Sequence, residues 1–85
     1  MKPDLFLKNY LLEKISKNQL EKIIKKDLLS NGILDSLDIV ILATKIKKTY
    51  NIDIEINSQK IINIFRSYNE LLRFIKKNSK KWKIN

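Results

Sequence analysis

Apolar residues along this chain recur at the spacing of helices. Leu5, Leu7, Leu11, Leu12 and Ile15 follow one another at roughly helical intervals, and the run weakens at "SKNQ", residues 16–19. Pro3 is tolerated in an opening turn and Asp4 suits the positive end of the helix dipole, which places the start of this first helix near residue 3. From residue 19 to 34 the pattern reads two ways. Leu20, Ile23, Ile24 and Leu28 either form a short helix or pin a loop, and the expectation is a mixture ending in a turn at Asn31-Gly32.

The next helix has the clearest pattern. Asp35 is a good N-cap, and Asp38, three residues on, can reach back as in a capping box. Ile39, Leu42, Ala43, Ile46 and Tyr50 follow one stripe suited to burial. Leu37, Val40 and Ile41 lie beside that stripe or beyond it, so the helix either buries two sides or offers apolar surface to a partner. "NIDIEI", residues 51–56, alternates like a strand. With nothing to pair against, it is expected to be an extended connector anchored in the core by Ile52 and Ile54, with Ile56 a further candidate anchor. "NSQKIINIF" then predicts a short helix capped by Asn57 or Ser58. Ser67 to Glu70 predict a capping box for a last helix whose apolar face is Leu71, Leu72, Phe74 and Ile75.

The 85 residues predict one domain, with a core over about residues 3–78 and a basic, frayed tail over 79–85. One Gly and one Pro are few for an all-β chain that must turn often, so the expected class is all-α. No apolar run approaches bilayer length, and charges interrupt the N-terminus too early for a signal peptide. The absence of cysteine argues against a disulfide scaffold and leads to the expectation of an intracellular, cytoplasmic protein. A net charge of +9 would ordinarily suggest nucleic acid or an anionic membrane. The abundance of Ile, Lys and Asn, whose codons are rich in A and T, offers a compositional explanation for the same charge.

With no histidine there is no Ser-His pair, and with neither histidine nor cysteine the usual metal-ligand spacings cannot occur. No glycine-rich loop cradles a phosphate and no Gly-x-Ser-x-Gly elbow surrounds Ser36. Two acids in a first helical turn are usually caps and dipole partners. An autonomous enzyme is therefore not expected. Any reactive group must come from elsewhere.

"GILDSL", residues 32–37, resembles the phosphopantetheine attachment motif of acyl carrier proteins and their peptidyl and D-alanyl carrier relatives. The resemblance covers about residues 3–78: a hydrophobic first helix, a long loop into "GILDSL", an apolar helix ending in "TYNIDIEI", a short helix and a closing "IFRSYNELLRFI". It implies a small four-helix bundle with a short third helix and a long loop between helices one and two. It also implies 4'-phosphopantetheine, derived from coenzyme A, joined covalently to Ser36 and carrying cargo as a thioester. Asp35 would support attachment by a phosphopantetheinyl transferase. Leu37, Asp38, Val40, Ile41, Lys45 and Lys48 would meet partners, namely a cargo-loading ligase or acyltransferase and downstream biosynthetic enzymes. A monomer is expected.

Bacterial fatty-acid carriers are strongly acidic along the helix after the serine. Here Asp35 and Asp38 are followed by Ile41, Lys45, Lys47 and Lys48. Like charges across an interface cost affinity, so the expected role is a dedicated carrier for a specialised pathway, with neutral or acidic partners or apolar docking. Two other readings compete. One is a small basic module binding nucleic acid or anionic membrane through Lys76, Lys77, Lys80, Lys81 and Lys83 with Trp82. The other is an unmodified interaction domain using Leu37, Val40 and Ile41. The carrier reading is preferred, with no nucleic acid partner expected.

Overall fold

A computed structural model describes residues 2–79, and among them the chain forms five helices and no strand. The helices are α1 (Pro3–Leu12), α2 (Lys17–Ile23), α3 (Ser36–Tyr50), α4 (Gln59–Arg66) and α5 (Tyr68–Asn78). The expected all-α class holds. A fifth helix arises because the segment ahead of the serine contributes α2, which opens at a capping box between Ser16 and Gln19, earlier than the apolar pattern alone suggested.

On α1, Pro3, Leu7, Tyr10 and Leu11 form the buried stripe. Leu5 and Leu12 are exposed, contrary to their expected place in the apolar run. They are seven residues apart, and at 3.6 residues per turn both fall opposite the Leu7–Leu11 side. Helix α5 packs against α4 and α1, and α1 packs against α2. The Tyr68 hydroxyl reinforces this by donating to the Asp4 backbone carbonyl at 3.0 Å and to the Asp4 carboxylate. Helix α3 enters the same core through Ile39, Leu42, Ala43, Ile46 and Tyr50, the five residues its pattern predicted. The Phe6 ring meets Tyr50 edge-on at 5.3 Å.

The loop leading to Ser36 is tied down along its length, as expected of a segment part helix and part anchored coil. Leu28 and Leu34 are fully buried, and the Leu28 N–H donates to the Arg66 carbonyl at 2.7 Å. Asp27 accepts from the Leu29 and Ser30 N–H groups at 2.9 Å each and from the Arg66 guanidinium at 3.1 Å. Gly32 turns the chain with φ of +72°, a conformation costly for residues bearing a Cβ. Helix α3 ends where Asn51 adopts a left-handed conformation and donates its N–H to Lys47.

The expected connector over residues 51–56 is free of helix and strand, with Ile52 buried and Ile54 and Ile56 half-buried. It closes, however, in a turn at Ile56-Asn57, where the Ser58 N–H donates to the Glu55 carbonyl at 3.2 Å. Ser58 precedes α4 without a side-chain cap. Ser67 accepts from the Glu70 N–H, but the Glu70 carboxylate turns to Arg73 at 2.9 Å, so only one arm of the expected box forms. No helix among the described residues is long and apolar enough to cross a membrane. Of the basic tail, only Ser79, which is buried, lies among the described residues. The expected fraying of 80–85 falls outside them.

Candidate functional site

The site is the first turn of α3. Ser36 is its first helical residue, and both Ser36 and Asp35 are exposed. The Asp35 carboxylate accepts from the Asp38 N–H at 2.9 Å, while Asp38 Oδ2 accepts from the Asp35 N–H at 3.0 Å. This reciprocal box fixes the backbone on both sides of Ser36. The N–H groups of Ser36 and Leu37 meet no acceptor among the described residues. Two donors at the positive end of a fifteen-residue helix thus lie beside an accessible hydroxyl.

Asp38 was expected to face partners. It does not: its exposure is 6 %, and its remaining oxygen accepts from the Tyr10 hydroxyl at 2.9 Å and from Lys14 Nζ at 2.5 Å. Capping geometry turns a side chain at the third helical position back toward the helix start, and here that direction is also toward α1. Burial alone would push the Asp38 carboxyl up. The Lys14 ammonium, the Asp35 N–H and the Tyr10 hydroxyl outweigh it and hold the group below the usual carboxylate range. In return, burial and the hydrogen bond to Asp38 raise the Tyr10 phenol. Asp38 therefore ties α1 to the serine-bearing turn.

The other expected docking residues point outward: Leu37, Val40, Ile41, Lys45 and Lys48 are all exposed. Lys47, on the same helix, reaches Asp53 at 2.5 Å and fastens the connector to α3. Between them lies an open groove of about 250 Å³ lined by Val40, Ala43, Thr44, Ile54 and Ile56. A larger open groove, about 580 Å³, lies away from Ser36 between the connector, α4 and α5, with Ile61, Ile64 and Phe74 among its lining residues. Of the alternative basic surface, Lys76 and Lys77 are exposed on α5, while Lys80, Lys81, Trp82 and Lys83 lie outside the described residues.

Sequence reasoning missed Tyr10 and Lys14 as supports of the site. Tyr10 shares the Leu7–Leu11 stripe, a signal for burial, but its pairing with Asp38 spans 28 positions and leaves no local mark.

The fold and site define a small all-helical domain that presents a serine hydroxyl at the mouth of its longest described helix. Comparison with protein-family models, curated proteins and solved structures returned no significant match to the chain.

Proposed function

We propose that this chain is a stand-alone carrier protein of the acyl-carrier type, bearing an acyl or aminoacyl cargo as a thioester on 4'-phosphopantetheine attached to Ser36. The observation that carries the reading is the exposed Ser36 hydroxyl at the start of α3, between an exposed Asp35 and an exposed Leu37. The residues present fit the group. A phosphodiester on Ser36 Oγ needs an accessible hydroxyl and favours nearby N–H donors, and the unpartnered N–H groups of Ser36 and Leu37 are such donors. The carboxylate nearest that position by sequence on the buried side, Asp38, is already matched by Lys14.

The arm supplies the thiol that this cysteine-free chain lacks. Loading the arm is a transfer from coenzyme A, catalysed by a transferase. Ser36 Oγ forms the new P–O bond, the bond to adenosine bisphosphate breaks, and the hydroxyl proton passes to a base of that enzyme. Asp35, exposed beside Ser36, is the residue available to position the transferase and its metal ion. The capping box and the Tyr10–Asp38–Lys14 cluster hold the turn in place. Tethering raises the cargo's effective concentration at each enzyme that docks. The open groove beside Val40, on the serine side of α3, offers an apolar lining to a short cargo.

The four helices of a carrier bundle correspond in order to α1, α3, α4 and α5, with α2 lying in the long loop. The basic second half of α3 favours a specialised pathway over general fatty-acid synthesis. The test is to incubate the purified chain with coenzyme A and a broad-specificity phosphopantetheinyl transferase, then weigh it intact. A gain of one phosphopantetheine that disappears in Ser36→Ala is expected. No gain, while a control carrier is modified in parallel, overturns the proposal.

A further inference from the structure

Among the described residues the exposed large apolar side chains are Leu5 and Leu12 on α1 and Leu37, Val40 and Ile41 on α3. The three on α3 are 64 %, 44 % and 38 % exposed, and with spacings of three, four and one they fall on one side of the helix. The core residues of α3 occupy its other side. Further along the outward side stand Lys45 and Lys48. Lys45 follows Ile41 by four residues and Lys48 follows Leu37 by eleven, so the lysines continue the same rows. At 1.5 Å per residue the face runs about 18 Å from Ser36 to Lys48. Lys47 is matched by Asp53, whereas Lys45 and Lys48 form no ion pair among the described residues. The face therefore has an order: an acid and the serine, three apolar side chains, then two free cations.

We propose that this face of α3 docks enzymes whose binding surface sets an apolar recess beside a cluster of carboxylates, the recess receiving Leu37, Val40 and Ile41 and the carboxylates receiving Lys45 and Lys48. The proposal rests on the carrier reading, since it takes the partners to be enzymes that must meet Ser36, and it adds the sign of the charge they present. Apolar contact supplies most of the affinity and the lysines supply steering and register. A partner with a basic rim would place its cations against Lys45 and Lys48 and be rejected. An anionic membrane fits less well, because it presents one sign everywhere and would meet Asp35 at the serine end of the same face. A protein surface can match both ends.

The test is an NMR titration of the isotope-labelled Ser36→Ala chain with two synthetic amphipathic helical peptides. They share one leucine stripe, flanked by glutamates in one and by lysines in the other. The glutamate peptide is expected to shift the amides from Leu37 to Lys48, and the lysine peptide to bind about tenfold more weakly at low salt. Lys45→Glu/Lys48→Glu should reverse that order, and Lys45→Gln/Lys48→Gln should erase the difference, each variant first shown to keep the parent amide spectrum. Equal binding of the two peptides, or no response on α3 to either, overturns the proposal. So does preferential binding to phosphatidylglycerol vesicles, which would make the face a membrane contact. Because the serine is absent, the result is independent of attachment. Discrimination without attachment in the mass experiment sinks the carrier reading alone, and attachment without discrimination sinks this one alone.

Discussion

Replacing Asp38 by Asn tests whether the turn that presents Ser36 is held by a charged anchor. The carboxylate accepts from Tyr10, Lys14 and the Asp35 N–H. Asparagine keeps the volume and one acceptor but substitutes an NH2 for the other, so it cannot serve all three. The Tyr10 bond is worth about 1.5 kcal/mol net, the lower end for a charged acceptor. The Lys14 pair contributes at most about 1 kcal/mol, because that side chain is one-third exposed and can return to water. The reciprocal arm of the capping box adds somewhat less. Allowing for the acceptor that remains, the expected loss is about 2 kcal/mol. For a domain of this size that lowers the thermal midpoint by about 8–16 °C. In urea, with a slope near 1–1.5 kcal/mol/M, the midpoint falls by about 1.3–2 M.

The assay is equilibrium urea unfolding of the parent, Asp38→Asn, Tyr10→Phe and the double variant. Tyr10→Phe alone should cost about 1.5 kcal/mol, since it leaves Asp38 still paired with Lys14. The double variant should cost less than the two singles combined, by about 0.5–1 kcal/mol, because both remove the same bond. An Asp38→Asn cost below about 0.5 kcal/mol, or strict additivity, would refute the claim that this pair holds α1 to the serine turn.

Four further outcomes follow from the same geometry. Ser36→Ala, at an exposed position whose backbone is fixed by Asp35 and Asp38, should shift stability by no more than about 0.5 kcal/mol while abolishing attachment, read by calorimetry and intact mass. Gly32→Ala should cost about 1 kcal/mol from the positive φ alone, because a Cβ there meets no atom within 4 Å; a loss several times larger would contradict this. Leu28→Ala should cost about 2–5 kcal/mol, since Leu28 is fully buried where the loop joins α4, and the drop should be visible by urea melt. The Asp4, Asp27 and Asp38 carboxyls are held below their ordinary values, respectively by the Tyr68 hydroxyl, by the Ser30 N–H, and by the Lys14, Asp35 and Tyr10 donors that outweigh burial. Their contribution is thus full above about pH 4 and is lost as pH falls through the lower folded-state values, so a melt series that showed stability rising in acid would contradict the assignment.

Helix starts were legible at Asp35 with Asp38 and at Ser67, where the cap acts between residues three apart and residue type and spacing suffice. The Ser16–Gln19 box is as local, but it falls where the apolar run weakens, so the start of α2 was not legible from the pattern. The stripe on α3 was legible for the same reason: five apolar positions at helical spacing agree on one direction. On α1 the apolar residues surround the helix, and Leu5 and Leu12 cannot be told from Leu7 and Leu11 until α5 and α2 choose a side. The site divides likewise. That Leu37, Val40 and Ile41 lie off the core stripe was legible. The choice between burying that second side and exposing it is made by the packing, which leaves all three exposed. The inward turn of Asp38 depends on Tyr10 and Lys14, brought there by tertiary packing alone. The groove beside Val40 needs two separated segments and the one beside Phe74 three, and neither leaves a trace in any one of them.

The charge order on α3 has a structural cause as well as a proposed functional one, and the two can be separated by position. A helix favours acids in its first turn and cations in its last, and the effect fades within one turn of each end. Asp35 and Asp38 cap the start, and Lys47 and Lys48 lie in the final turn, so all four suit the dipole whatever the protein binds. Lys45 lies deeper in the helix, where that benefit is small, and it has no ion-pair partner among the described residues. Its presence on the outward face, one turn beyond Ile41, is the feature that stability explains least. Lys45→Gln should accordingly leave unfolding within about 0.5 kcal/mol of the parent, whereas Lys48→Gln should show the modest loss of a dipole-facing cation. If docking by an acidic surface weakens in both variants while stability falls only in the second, the lysine row serves recognition over and above the needs of the helix.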